Sequence, residues 1–391
     1  MSVIGIVCEF NPFHNGHKHL IDSVKKQGDI VVCVMSGNFV QRGEPAIFPK
    51  EIRVKAALLN GADIVLELPF VYATSSAESF AYNAVKILDS FGCDKIAFGT
   101  ENSDIDTLCK VVDILTDDKF DAELKKCLES GDSYPSARQS ALRKFSSNCD
   151  ISLPNNILAV EYIKAIKKLN SKITPICVNR VGADYNDDFA VDNFASATHI
   201  RSLIYNNKSF ESLVPSNTLN LYKNAISSGK VLSLEKYNIS SLALLRLKVF
   251  TKTENTGNMA EGLENRIIDA ISNSVNINEI YDLAKTKRYT HSRIRRAVLC
   301  YQFGISNDDL KTDVPYCRLL CFNKNCKELV GKLAGDCNLP FVVRYSDILK
   351  YNDEVLNRVY ELENLTTDFY NLILSKPDVC SKEKTFSPIK E

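Results

Sequence analysis

Residues 9–17 read Glu-Phe-Asn-Pro-Phe-His-Asn-Gly-His and follow the apolar run 3–8 directly. This order predicts a buried strand, then a loop that opens a helix at about Gly16. A helix N-terminus has unpaired backbone N–H groups and about half a positive charge, so it suits the phosphates of a nucleotide. Gly16 also lets the backbone approach a phosphate closely, because it has no Cβ. The joint context of His14 and His17 therefore favours a nucleotide site, with both imidazoles near the phosphates.

A metal site is not predicted. No acidic or thiolate residue lies at a recognisable ligand spacing from His14 and His17. Cys317, Cys321 and Cys326 cluster later in the chain, but they form no C-x-x-C pair.

Size and composition predict an intracellular enzyme. With 391 residues the chain exceeds the usual length of one domain, so two are expected. The formal charge is zero, so nucleic-acid binding would depend on local basic patches. Thirteen scattered cysteines indicate reduced thiols in a cytoplasm. No signal peptide is expected, because no basic stretch precedes the first strand, and no apolar run approaches the ~18 residues of a membrane span.

The first half alternates strands with helices. After the first strand, further strands are predicted over 29–35, 63–68, 95–98 and 173–178, with helices over 16–26, 50–60, 76–90 and 157–169. Continuous apolar strands separated by helices indicate an α/β fold, with a parallel sheet covered on both faces. Residues 104–150 have a helical pattern and are interpreted as an insertion. Ligands of such sheets bind beyond the carboxyl ends of the strands, where His14, Ser36-Gly37, Pro69 and Gly99 fall.

A second anion-binding segment is Ser196-Ala197-Thr198-His199-Ile200-Arg201. Taken alone it is most simply a hydroxyl N-cap. An HxGH segment near the start and a Ser-x-Thr-x-Ile-Arg segment near the end of one α/β domain are together typical of nucleotidyltransferases. Thr198 and Arg201 are therefore expected to contact ATP phosphates.

Seven blocks, in order along the chain, resemble the bacterial tRNA(Met) cytidine acetate ligase family. They are 9–17, 35–46, 62–69, 98–102, 154–158, 196–201 and 285–290. The resemblance implies a Rossmann-like nucleotidyltransferase domain that activates acetate with ATP to acetyl-adenylate. It further implies transfer of the acetyl group to N4 of the wobble cytidine of elongator tRNA(Met).

The resemblance also implies the ATP site. It would comprise Val7, Cys8, Glu9, Phe10, Asn11, Pro12, Phe13, His14, Asn15, Gly16, His17, Lys18, His19 and Leu20, joined by Gly99, Asn155 and Arg180. Asn186 stands where the family leads us to expect a histidine. Mg²⁺ is expected to accompany ATP.

The second half is expected to bind RNA. Helices are predicted from about 218 to 280, and a basic cluster follows: Lys285, Lys287, Arg288, Arg293, Arg295 and Arg296. Tyr289 and His291 lie between these residues, and helical spacing would place Arg288, His291 and Arg295 on one face. We interpret the cluster as tRNA phosphate contacts, the alternative being an ordinary solvated helix surface. The predicted domains are 1–207, catalytic, and 208–391, mainly helical, with a mobile tail after Lys376.

Two other functions stay open from the sequence. One is a different adenylyltransferase, acting on a small phosphorylated acceptor; the long basic second half argues against it. The other is a nucleotide- and RNA-binding protein without catalysis, which the intact His14, Gly16, His17 and Arg201 argue against.

Overall fold

A computed structural model of the chain describes residues 1–101, 104–131, 133–146, 151, 153–180, 193–249, 255–259 and 262–391. The strands, in chain order, are β1 Val3–Cys8, β2 Ile30–Ser36, β3 Phe39–Val40, β4 Glu44–Pro45, β5 Ile64–Leu68, β6 Lys95–Thr100, β7 Thr174–Asn179, β8 Cys317–Phe322, β9 Phe341–Val342 and β10 Ile389–Lys390.

The α-helices up to residue 227 are α1 Asn15–Val24, α2 Lys50–Leu59, α3 Phe70–Ala73, α4 Ala77–Ser90, α5 Ile105–Leu115, α6 Asp118–Glu129, α7 Tyr134–Phe145, α8 Pro154–Lys168, α9 Ala197–Tyr205 and α10 Ser216–Ser227. Those that follow are α11 Leu234–Val249, α12 Leu263–Asn273, α13 Ile277–Ala284, α14 His291–Phe303, α15 Asn307–Lys311, α16 Lys327–Asp336, α17 Tyr345–Ile348, α18 Glu354–Leu372 and α19 Lys382–Thr385. None of the helices within the described ranges combines the length and apolarity needed to cross a bilayer.

The main sheet has the strand order β10-β8-β5-β2-β1-β6-β7, and β9 also pairs with β8. Its five N-terminal strands, from β5 to β7 in that order, are parallel. The predicted α/β fold with a parallel sheet is thus confirmed, and each of these five strands lies within two residues of its predicted bounds.

Each face of the sheet packs a separate hydrophobic cluster, because side chains alternate along a buried strand. In β2, Val32 and Val34 point to the face that α4 and α8 cover, while Val31 and Cys33 point to the opposite face. Helices α1, α2, α9 and α10 cover that second face. The chain leaves β1 through α1 to reach β2 and later reaches β6 through α4 on the other face. The carboxyl ends of β1 and β6 therefore flank a crevice at the switch point of the topology.

The C-terminal part of the chain also joins this sheet. Strand β8 pairs antiparallel with β5, and the short β9 and β10 pair parallel with β8. None of these three strands is among those predicted from the sequence. The division at residue 207 stays a prediction, but the sheet extends across it.

The tail after Lys376, expected to be mobile, is instead anchored by a buried ion cluster. Glu383 in α19 pairs with Lys50 and with Arg318, whose Nη1 lies 2.6 Å from its Oε2. Glu67 and Glu363 complete the cluster, and all five side chains are at most 2% exposed. Burial and the charge of Glu67 raise the pKa of Glu363 to about 8. With Glu363 neutral at pH 7, two cations face two carboxylates and the buried charge balances.

Candidate active site

The loop between β1 and α1 holds His14 and His17 in fixed orientations. His14 is the N-cap of α1, and its Nδ1 accepts a hydrogen bond from the Gly16 amide at 3.1 Å. The Nδ1 of His17 accepts one from the His14 amide at 3.2 Å. Because both Nδ1 lone pairs face backbone donors, each neutral imidazole carries its proton on Nε2. Each ring therefore has an N–H donor available at the positively polarised end of α1.

Both imidazoles are neutral at pH 7. Burial, reinforced by the charges of Arg180 and Arg201, lowers the pKa of His14 from 6.5 to about 3. Burial, with His14 and Arg180 contributing, also holds the pKa of His17 well below its ordinary value. The ring centroids lie 3.8 Å apart, so two imidazolium ions here would repel each other. The pair can thus stabilise phosphate oxygens as hydrogen-bond donors without giving up a proton.

The N-terminus of α9 faces the same space. Ser196 caps it, since its Oγ accepts a hydrogen bond from the His199 amide at 3.1 Å. Arg201 donates through Nη1 to the Asn11 carbonyl at 2.8 Å and through Nη2 to the Thr198 Oγ1 at 3.1 Å. This guanidinium ties α9 to the loop that precedes α1. Two helix N-termini and an arginine together suit a polyanion such as a triphosphate.

Gly99, Asn155 and Arg180 lie on the β6 side of the crevice. A Cβ at Gly99 would lie 3.4 Å from the Arg180 Cγ, so the glycine leaves room for that side chain beside β6. The Glu101 carboxylate accepts hydrogen bonds from the amides of Asn155 and Asn156, at 3.1 and 3.0 Å. The side-chain amide of Asn155 donates to the same carboxylate. The start of α8 is thus fixed to the end of β6.

Glu9 follows β1 on the opposite side of the crevice. Its Oε1 accepts a hydrogen bond from the Gln41 amide at 2.7 Å, which joins it to the hairpin of β3 and β4. Burial raises the pKa of Glu9, although the Gln41 amide and the charges of Arg201 and Arg42 act in the other direction.

These elements enclose a cleft of about 1190 Å³. Most of the predicted ATP residues line it: Val7, Cys8, Glu9, Phe10, Asn11, His14, Gly16, His17, His19, Leu20, Gly99, Asn155, Arg180, Thr198 and Arg201.

Four predicted ATP residues, Pro12, Phe13, Asn15 and Lys18, lie outside the lining of the cleft. Two of them support the loop instead: the amide and carbonyl of Phe13 both bond to the Tyr222 hydroxyl, at 3.0 and 3.2 Å. Asn15 donates through Nδ2 to the carbonyl of Ser212 at 2.8 Å.

The predicted basic cluster divides into two groups. Arg288, Arg293 and Arg296 line the cleft, whereas Lys285, Lys287 and Arg295 do not. Arg295 forms an ion pair with Glu44 of the hairpin. Helix α14 begins only at His291, so the predicted helical face shared by Arg288, His291 and Arg295 is wrong.

Tyr289, the aromatic residue between the members of the basic cluster, is buried. It is 4% exposed, and the Arg293 guanidinium lies over its ring, 4.9 Å from the centroid. The Tyr289 ring therefore packs against the Arg293 guanidinium and helps to hold it in place.

The structure adds cleft residues for which the sequence analysis had assigned no role: Gln41, Arg42, Tyr134, Arg138, Glu161 and Tyr162. Gln41 and Arg42 belong to a block that carried the resemblance, so a signal existed for them. Arg138 and Glu161 belong to different helices and had no local signal.

Asn186, singled out in the sequence, and Asn102, the last residue of block 98–102, lie outside the described residues. Among the residues that are described, no group of three or more His, Cys, Asp or Glu side chains is placed to hold a metal ion.

Comparisons with known proteins show the family of this chain. Residues 1–385 match the model of the HIGH Nucleotidyl Transferase family. The tRNA(Met) cytidine acetate ligase of Caldanaerobacter subterraneus is 40% identical, covering 100% of this chain and 99% of the relative. That of Acetivibrio thermocellus is 39% identical, covering 96% of each.

Solved structures agree as well. The apo crystal structure of Thermotoga maritima TmcAL superposes with a TM-score of 0.92 at 32% identity, covering 100% of this chain and 99% of the other. The same protein bound with alpha-thio ATP gives a TM-score of 0.91 at 31% identity. Because the family model matches residues 1–385 and the fold and the full-length similarity agree with it, the chain belongs to the tRNA(Met) cytidine acetate ligase family of HIGH nucleotidyl transferases.

Proposed function

We propose that this protein joins acetate to ATP and transfers the acetyl group to N4 of the wobble cytidine of elongator tRNA(Met). The observation that carries the proposal is the shared cleft. Neutral histidine donors and two helix N-termini line one part of it, and Arg288, Arg293 and Arg296 line another. One space thus offers a triphosphate site beside a basic surface for RNA.

The first step is formation of acetyl-adenylate. An acetate oxygen attacks the α-phosphorus of ATP, the bond to the β-phosphate breaks, and pyrophosphate leaves. Nε2–H of His14 and of His17, the α1 amides and Arg201 are placed to stabilise the charge that develops on the phosphates. No protein nucleophile takes part, so positioning and electrostatics supply the catalysis. Mg²⁺ is expected to enter with ATP, since this ion is bound largely by substrate phosphates in such sites.

The second step is acetyl transfer. The cytidine N4 attacks the acetyl carbonyl carbon, the bond to AMP breaks, and N4 loses one proton. Cytidine N4 is a weak nucleophile, so the mixed anhydride must lie within reach of the base. A single cleft for both reactants meets this requirement. The three arginines that line the other part of the cleft would hold the RNA backbone.

The test is acetylation of an elongator tRNA(Met) transcript with ATP and labelled acetate, comparing wild type with His17→Ala. We expect ATP-dependent label on the wobble cytidine and its loss in the variant, with tRNA binding kept. His291→Ala is the matched control, because this imidazole lies outside the cleft lining.

Other outcomes have distinct meanings. Pyrophosphate release with some other acceptor would favour a different adenylyltransferase. Binding of ATP and RNA without any label would favour a non-catalytic protein. Equal loss of tRNA binding and adenylate formation in His17→Ala would contradict the separate roles given to the two parts of the cleft.

A further inference from the structure

The helical insertion brings a buried ion pair to the cleft wall, and two atoms of this pair lack hydrogen bonds. Arg138 of α7 is 7% exposed and Glu161 of α8 is 4% exposed, and both line the cleft. Arg138 Nη1 lies 2.7 Å from Glu161 Oε1. Two further atoms of the pair, Arg138 Nη2 and Glu161 Oε2, are also buried and form no hydrogen bond. Lys164 Nζ forms an ion pair with Oε2 at 3.2 Å.

Buried polar atoms in native proteins normally have hydrogen-bond partners. Arg138 Nη2 and the neighbouring Glu161 Oε2 have none, although Oε2 also lies against the charge of Lys164, so the two atoms together can take a ligand. A carboxylate or phosphate would satisfy Arg138, but Glu161 would repel it. The ligand that satisfies both is a base edge in which a ring nitrogen accepts and the neighbouring exocyclic amine donates. Cytosine has this edge at N3 and N4, and adenine has it at N1 and N6. Uracil presents the opposite pattern there.

An aromatic side chain lies beside the pair. Tyr134 is one turn before Arg138 in α7, and residues four apart lie on the same helix face. It is 49% exposed although it lines the cleft. An unstacked base in RNA is commonly held by such a ring while its edge is recognised by hydrogen bonds.

Cytosine of the tRNA and adenine of ATP share this edge, and both take part in the proposed reaction. Glu161 follows Asn155 by six residues, which is about 9 Å along α8. Lys164, next to Glu161, lies 3.5 Å from Glu78 at the start of α4. We take cytosine as the ligand, and the KM for ATP in the experiment below separates it from adenine.

We propose that Tyr134, Arg138 and Glu161 form the pocket that recognises the target cytosine. Arg138 Nη2 donates to N3, Glu161 Oε2 accepts from N4–H, and Tyr134 stacks on the ring. This inference rests on the proposed function, and it gives the helical insertion a part in substrate selection.

The test measures dissociation constants for elongator tRNA(Met) transcripts with cytidine or uridine at the wobble position. Wild type is expected to prefer cytidine by about tenfold or more, since a bidentate base contact discriminates by about 1–3 kcal/mol. The double variant Arg138→Met/Glu161→Met is expected to bind both transcripts within twofold. It removes both charges together, which avoids the cost of an unpaired buried ion. Arg143→Met, at an exposed residue of the same helix that also lines the cleft, is the control and should keep the preference.

A second measurement uses wild type alone and so does not depend on folding of the variant. A transcript with pyrimidin-2-one at the wobble position keeps N3 but lacks the amine, and it should bind about tenfold more weakly than cytidine. Equal binding of all three bases would overturn the proposal. So would a raised KM for ATP in the double variant, because the pair would then contact adenine. If the wild type binds all three transcripts equally but still acetylates tRNA, the pocket is refuted and the proposed function stands. If the wild type does not acetylate tRNA, the proposed function itself is refuted.

Discussion

Replacing Gly16 by alanine should damage catalysis while leaving the fold in place. Gly16 is the second residue of α1, and its amide donates to the Nδ1 of His14. A Cβ at this position would lie 2.9 Å from Cε1 and 3.1 Å from Nδ1 of the same imidazole. Ordinary contacts begin at about 3.4 Å, so the His14 ring must move by about 0.5 Å.

The stability effects of Gly16→Ala oppose each other. Weakening the N-cap costs about 1 kcal/mol. Alanine in place of glycine inside a helix gains up to about 1 kcal/mol. The melting temperature is therefore expected to stay within a few degrees of wild type. Catalysis has no such compensation, since a displacement of ~1 Å can cost ~100-fold in rate. For a shift of about half that size we expect about a tenfold loss of kcat/KM for ATP.

The assay is acetate-dependent exchange of labelled pyrophosphate into ATP, paired with thermal melting. Gly331→Ala is the control, because a Cβ there meets no atom within 4 Å and should leave exchange unchanged. A wild-type exchange rate in Gly16→Ala would refute the role of His14 orientation. A large fall in melting temperature would show that the substitution acts through folding instead.

Three further outcomes are expected. The pKa of His14 is about 3 in the folded protein and 6.5 in the unfolded chain. Because the unfolded chain therefore takes up the proton first as pH falls, the free energy of unfolding declines from about pH 6.5 toward pH 3. Urea unfolding should therefore show wild type losing about 2 kcal/mol more than His14→Asn between pH 7 and 5, and equal losses would contradict the buried neutral imidazole. Arg296→Met should weaken tRNA binding and reduce the slope of log K against log salt by about 1, while Arg295→Met leaves that slope unchanged; filter binding at several salt concentrations separates them. Glu383→Ala should cost about 3–5 kcal/mol in urea unfolding because it leaves Lys50 and Arg318 with an unpaired buried charge, and a cost below 1 kcal/mol would show that the tail does not anchor the fold.

The parallel part of the sheet and the position of the cleft could be predicted from the sequence. Strands β1, β2, β5 and β6 are continuous apolar runs, and their order with intervening helices determines which ends meet. His14 and Gly99 follow or end such strands, so their proximity follows from topology alone. The resemblance then placed Asn155 and Arg180 in the same cleft, which periodicity alone could not do.

The rest depends on contacts between distant segments. Strand β8 pairs with β5 across some 250 residues, and nothing in the run 317–322 specifies that partner. Arg295 and Arg296 are adjacent in sequence, yet only Arg296 lines the cleft. Which of the two does so is decided by the start of α14 and by the hairpin packed against it. Arg138 and Glu161 are similarly paired only through the packing of two helices.

The hairpin of β3 and β4 links the two walls of the cleft. Its Gln41 amide bonds to Glu9 beside the proposed nucleotide site, and its Glu44 pairs with Arg295 in α14. At Gly43, φ is +77° and a Cβ would lie 2.9 Å from the Arg295 Cβ, so only glycine fits this close approach without strain. An acyl-adenylate is open to hydrolysis, so the RNA must be held in register with the nucleotide before the anhydride is lost. A short hairpin that is fixed at both ends holds the two parts of the cleft in a fixed relative position. Two domains joined by a linker would hold them less rigidly.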